Sequence, residues 1–156
     1  MVRRRQVLPI GLLVCGVLVA SGAALHAGQR TTESKKPTVV FNITSGKEDL
    51  HAVTMALQLA GHAVDEGRNV VLFLNVRAPE FARKDLSDAF AFHGNPPLRK
   101  MIADLMARGP QVTVMVCPHC AEVMGLTEKD FAPGIGMASA ESLFDKLGAD
   151  SVVFTY

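Results

Sequence analysis

The run Asn69-Val-Val-Leu-Phe-Leu-Asn75 is apolar at every interior position. A strand with apolar side chains on both faces has to be covered on both faces, as happens in a parallel sheet lying between helices. Three more runs share its β-branched character: Thr38 to Ile43, Gln111 to Val116 and Ser151 to Thr155. Each reads as a strand. Between them the apolar spacing becomes that of a helix. Leu50, Val53, Leu57, Ala60 and Val64 share one helical face, Ser45 or Asp49 is placed to cap its start, and Gly67 stands where it ends. Leu98, Ile102, Leu105 and Met106 mark a second helix over Leu98 to Ala107, closed by Gly109-Pro110. A short helix after Cys117 runs through Met124 and closes at Gly125. Ser139 caps another that runs to Leu147. Arg77 to Pro97 is a long irregular connection in which a short helix is expected over Lys84 to Phe92, and Phe131 to Gly136 is expected to be loop. The order β-α-β-α-β-α-α-β predicts an α/β fold: three layers, α/β/α, around a mainly parallel sheet of four or five strands.

The chain before the first strand reads differently. Arg3, Arg4 and Arg5 precede an apolar run from Val7 to about Leu25, and Gly22, Ala23, Ala24 and Ala27 offer cleavage after Ala24 or Ala27. Residues 1–27 are therefore expected to be a signal peptide, or a retained N-terminal anchor, since the run nearly reaches bilayer-spanning length. Cys15 follows Val14 inside the apolar run, which does not suit a lipoprotein signal. Residues 28–37 read as a linker and residues 38–156 as the domain. Both outcomes place the domain in the periplasm or otherwise outside the cytoplasm, touching a membrane only through an uncleaved N-terminal segment. At 49% hydrophobic and 20% charged residues the chain can bury a core. A formal charge of +1, no Trp and a single Tyr supply neither a basic field nor stacking platforms, so nucleic acid is not an expected partner.

Loss of the signal leaves Cys117 and Cys120, in the sequence Cys117-Pro118-His119-Cys120. A disulfide across so short a loop removes little chain entropy, so the pair reads as chemical and not architectural. Cys117 comes straight after a strand, at the carboxyl edge where ligands of open parallel sheets collect. Pro118 suits the first position of a helix. Unpaired N–H groups at that helix start, and a protonated His119, would favour thiolate on Cys117. Cys120 is then placed to attack an adduct on Cys117. Zinc wants four ligands, and no second Cys or His pair completes them. His51 and His62 read as polar-face residues of the first helix, whereas His93, in the long loop, leaves the same sheet edge as Cys117 and is a candidate to line the site. Gly134-Ile135-Gly136 lacks the third glycine and the lysine of a phosphate loop. Neither a cofactor nor a metal is assigned.

From about Lys36 to Tyr156 the chain resembles the DsrE/DsrF-like proteins. The features carrying the likeness are Phe41-Asn42-Ile43-Thr44-Ser45-Gly46, Ala56 to Ala60, Val114 to Ala121 with Gly125-Leu126-Thr127 behind it, Pro133-Gly134, and Asp150 to Phe154. The resemblance implies a small α/β domain that assembles as a homo-oligomer, a trimer or hexamer. It also implies that the cysteine after the third strand, Cys117, carries sulfur as a persulfide. The family includes cytoplasmic sulfur-relay proteins, and this chain departs from them in its export signal and in its second cysteine, since Cys120 tends to collapse a persulfide on Cys117 into a disulfide.

Three functions are compatible with these residues. The first is an extracytoplasmic thiol or sulfur carrier, with sulfane sulfur or a mixed disulfide on Cys117 and Cys120 resolving it, in exchange with a protein thiol or a small sulfur compound. The second is a dithiol–disulfide oxidoreductase, for which the Pro-His dipeptide between the cysteines speaks. The third is a module that binds a soft metal through two thiolates and an imidazole.

Overall fold

The computed structural model of this chain describes residues 37–156. The signal-peptide reading and the linker reading, apart from Pro37, lie outside the described residues.

Five strands form one sheet: β1 (Thr38–Ile43), β2 (Asn69–Leu74), β3 (Val112–Val116), β4 (Gly136–Met137) and β5 (Val152–Thr155). Their order across the sheet is β4-β3-β2-β1-β5, and every pairing is parallel. The helices are α1 (Leu50–Asp65), α2 (Leu98–Met106), α3 (Pro118–Val123) and α4 (Ala140–Phe144). The Asp49 carboxylate accepts from the Ala52 amide at 3.0 Å and caps α1. Gly67, with φ +73°, turns the chain out of that helix.

Side-chain alternation along the strands divides the core unequally. Val39, Phe41 and Ile43 of β1, Val70, Leu72 and Leu74 of β2, and Val112, Val114 and Val116 of β3 enter one large cluster. That cluster also takes the apolar faces of α1 and α2, with Phe81, Ala121 and Phe131. Complete burial of a side chain such as Phe41, Leu72 or Leu74 contributes ~1.5–3 kcal/mol, so this face dominates the stability. The opposite face is thinner. Val40, Val71, Met115 and Ala138 are buried there, with only Phe73, Leu143 and Leu147 packed against them. The three layers are therefore a thick layer of α1, α2 and α3, the sheet, and a thin layer built on α4.

One buried polar atom is orphaned. The Thr54 hydroxyl, in α1, has no hydrogen-bond partner among the described residues although Thr54 is only 1% exposed.

Three local expectations need correction. Lys84 to Phe92 is not helical. The chain instead makes a 3-10 turn at Ala78–Ala82, which buries Phe81 and Ala82, and continues as turns. Polar groups there bond locally: Asp85 takes both contacts of Arg83, and the Ser87 hydroxyl accepts from the Ala89 amide at 3.2 Å. Such bonds compete with a helix ladder. Secondly, the stretch taken as loop up to Gly136 leads into β4, whose two residues Gly136 and Met137 pair with Met115 and Val116. Thirdly, α4 stops at Phe144, and tighter turns carry the chain on to Leu147. The last strand, β5, is found as expected and lies at an edge of the sheet, with Val152, Val153 and Phe154 exposed by 48, 57 and 40%.

Candidate functional site

Because all five strands run in one direction, their carboxyl ends share one edge. The turn after β1 is tied to β5: the Tyr156 carbonyl accepts from the Thr44 amide, the Thr44 hydroxyl and the Ser45 amide. The turn after β2 is tied to β1, with the Asn75 amide on Ile43 O at 2.8 Å and the Arg77 amide on Thr44 O at 3.2 Å. The exit of β3 is tied to β2 by the Cys117 amide on Leu74 O at 2.9 Å. The dithiol thus sits on a backbone anchored strand by strand.

Cys117 is the N-cap residue of α3. Its carbonyl accepts from the Ala121 amide at 3.0 Å, and its side chain makes no capping bond. Pro118 opens the helix without leaving an amide unpaired. One turn on, Cys120 faces back toward β2. Both thiols are free and partly buried, and they lie within hydrogen-bonding reach of each other.

The partners of Cys120 come from the turn after β2. Its thiol donates to the Asn75 side-chain oxygen at 3.2 Å, and the Val76 amide donates to the Cys120 sulfur, also at 3.2 Å. The same amide reaches Asn75 Oδ1 at 2.8 Å. Val76 holds this position with φ +53°, a left-handed conformation that a β-branched residue rarely adopts. Asn75 is oriented in turn: its Nδ2 donates to Asn42 Oδ1 on β1, and Asn42 Nδ2 donates to the Thr155 hydroxyl on β5, each at 3.4 Å. The order Thr155–Asn42–Asn75–Cys120 crosses three strands before reaching α3.

Partial burial, foremost, followed by hydrogen bonding of the Cys120 thiol to Cys117, pushes Cys120 above its ordinary pKa. The Val76 amide works against that rise, and the charge of Cys117 adds to it. The His119 side chain is 83% exposed, with its Nδ1 4.0 Å from Glu122 Oε2. His93 lies in the long loop with its ring edge-on to Phe92, which stacks on His51 of α1 at 4.5 Å. No hydrogen bond among the described residues joins His93 to either cysteine. His51 and His62 are exposed on α1, as their place on its polar face implies. No three His, Cys, Asp or Glu side chains converge into a metal-holding group among the described residues. No described helix is long and apolar enough to cross a membrane.

Beside the dithiol turn runs an open groove of about 600 Å³, bounded by Arg77, Glu80, Leu86, Phe90, Met124 and Leu126. Two ion pairs lie along it. Arg77 pairs with Glu48 at 2.8 Å, and Arg83 pairs with Asp85 at 2.7 Å. The Gly46 amide, ahead of Arg77, holds the Glu48 carboxyl below its ordinary value.

The family model of the DsrE/DsrF-like family matches residues 38–156, the whole of the folded domain. The chain belongs to the DsrE/DsrF-like family. Two solved structures share the architecture of this DsrE/DsrF-like domain. The YchN protein from E. coli superposes with a TM-score of 0.57 at 18% identity, over 78% of this chain and 99% of that one. MTH1491, a protein of unknown function from Methanobacterium thermoautotrophicum, gives 0.53 at 13% identity, over 78% of this chain and all of its own. At such identities the likeness is one of fold. No curated protein sequence matches the chain significantly. Family membership links the domain, in general terms, to sulfur handling.

Asn42, Asn75 and Val76 are the site residues that sequence reasoning passed over. A signal was present for the first two. Asn42 interrupts the apolar β1 run and Asn75 closes the β2 run, and a lone amide in such a strand needs a partner. The left-handed Val76 carries no sequence signature.

Proposed function

We propose that this DsrE/DsrF-like domain is an extracytoplasmic sulfur or thiol carrier in which Cys117 receives sulfur and Cys120 resolves the adduct. The observation carrying this reading is the pairing of two free thiols at the carboxyl edge of the sheet, with only Cys120 engaged by the turn after β2. Among the described residues no turn offers Cys117 a comparable acceptor, which leaves it as the thiol to react. In the loading step the Cys117 thiolate attacks the outer sulfur of a persulfide donor. An S–S bond forms on Cys117, and the donor departs as its thiol. Delivery to an acceptor thiolate reverses this and restores Cys117. Where no acceptor is bound, Cys120 attacks the inner sulfur, giving a Cys117–Cys120 disulfide and hydrogen sulfide; an external dithiol must then reduce the pair.

The sequence of residues 1–27 supports export, by a cleaved signal or a retained anchor. Exposed apolar side chains on β5, with Phe144 of α4 at 65% exposure, support assembly with further copies of the chain as a trimer or hexamer.

The test is mass spectrometry after incubation with a low-molecular-weight persulfide. One added sulfur is expected on the Cys117 peptide, none in Cys117→Ser, and a longer-lived adduct in Cys120→Ser. Absence of any adduct from the folded protein would overturn the carrier reading. The reach between the two thiols favours a second reading, a dithiol–disulfide oxidoreductase. Catalytic insulin reduction that disappears in Cys117→Ser, without sulfur loading, would decide for it.

A further inference from the structure

The two thiols of the pair do not share one environment. Cys120 has an acceptor in Asn75 Oδ1 and a donor in the Val76 amide, both at 3.2 Å. The acceptor serves the thiol, and the donor serves the thiolate. A side-chain amide could present either end to the sulfur, and here the choice is made by its neighbour. Asn75 Nδ2 is taken by Asn42 Oδ1, whose own Nδ2 is taken by Thr155, so the Asn75 oxygen faces Cys120. The left-handed backbone at Val76 then brings the amide to the same sulfur.

We propose that Asn75, aimed by Asn42, is a positioning residue that holds the Cys120 proton and so makes the two thiols unequal. This rests on the reading of the dithiol as the reactive site and adds how the order of reaction is fixed. Held as a thiol, Cys120 leaves the first attack to Cys117. It reacts once Cys117 carries an adduct: the Cys120 sulfur bonds to Cys117, the outer group departs with the electron pair, and the Cys120 proton goes to that leaving group. The ionisable groups around Cys120 are few. On its own turn and helix they are Cys117, His119 and Glu122, the last two directed to solvent. From the segment after β2 they are Arg77, paired with Glu48, and Glu80, which accepts from the Lys47 amide. None of them makes a hydrogen bond to the Cys120 sulfur except through the Cys117 thiol.

The experiment is the pH dependence of Cys120 alkylation by iodoacetamide, read on its own peptide by mass spectrometry, in the full chain carrying Cys117→Ser. No sulfur donor is needed, so the outcome is separate from that of the loading assay. Asn75→Ala removes the acceptor and frees the Val76 amide for the sulfur, and the midpoint should fall by on the order of half a pH unit. Asn75→Asp is nearly isosteric and places a negative charge at the thiol, so the midpoint should rise by roughly one unit. Asn42→Ala should follow Asn75→Ala with a smaller fall. Opposite shifts in the two Asn75 variants are the signature, because a purely structural role would move both the same way or neither. If Asn75→Ala does not fold, Asn42→Ala takes its place: a fall there, opposite to the rise in Asn75→Asp, supports the assignment. An unchanged midpoint in a folded variant, or shifts of one sign, overturns it.

Discussion

Gly46, in the turn after β1, lies so close to Arg77, in the turn after β2, that a β-carbon on it would come within 2.9 Å of the Arg77 Cβ. The same atom would meet the Glu48 and Glu80 carboxylates at 2.8 and 2.9 Å, but those are the ends of flexible side chains. Only the Arg77 contact forces backbone to move. Gly46→Ala should therefore push the two turns apart and destabilise the domain by about 1–3 kcal/mol, the usual cost of an overpacked site. Urea denaturation measures it, and an unchanged midpoint would mean that the Asn75–Arg77 turn yields freely.

Val76→Gly should act in the opposite direction. A left-handed backbone costs an L-residue roughly 1–2 kcal/mol, whereas glycine gives back roughly 0.5–1 kcal/mol through its freer unfolded chain. Val76 is 51% exposed, so little packing is lost. The net expectation is a gain on the order of 0.5–1 kcal/mol in chemical denaturation. A clear loss would show that the valine side chain contributes packing its exposure hides.

Thr54→Val is nearly isosteric and removes the orphaned hydroxyl from α1. Burial of such a group without a partner costs about 1–3 kcal/mol, so the variant should be more stable by about 1 kcal/mol and melt higher. A lower melting temperature would indicate that a water or a residue outside the described segment serves the hydroxyl.

The Asp130 carboxylate closes the capping box at Thr127, accepting from its amide and its hydroxyl at 2.8 Å each. The Thr127 amide first, then the hydroxyl, hold its pKa below the ordinary aspartate value of 3.8. A depressed folded-state pKa contributes stability that is fully present above the unfolded value and is lost as pH falls through the folded one. Wild type should therefore melt above Asp130→Asn at pH 7, and the gap should narrow at pH 3 and below. An equal gap at both would assign the difference to something other than the carboxylate's charge.

The legible part of the fold was the part with a period. β1, β2 and β3 are apolar runs, and α1 and α2 repeat their apolar residues every three or four positions, so local composition located them. β4 has two residues, neither β-branched, and owes its existence to the neighbouring β3. The turns replacing a helix over Lys84 to Phe92 depend on where Phe81 and Phe92 find partners, on α1 and beneath the loop. The site divides in the same way. Cys117, Pro118 and Cys120 are adjacent in the chain, so spacing exposed them. Asn42 and Asn75 stand out locally as amides in apolar runs, but only strand pairing brings them to Cys120, so the sequence could not name the sulfur as what they serve.

The first strand of the domain pairs with the last, and the Asn42–Thr155 contact joins residues 113 positions apart. Contacts between β1 and the end of the chain close the longest loops among the described residues, and so carry the largest closure entropy. A ribosome therefore delivers both cysteines well before it delivers the strand that anchors their polar support. A nascent chain halted at Ser151 carries the complete dithiol, yet its amide relay stops at Asn42.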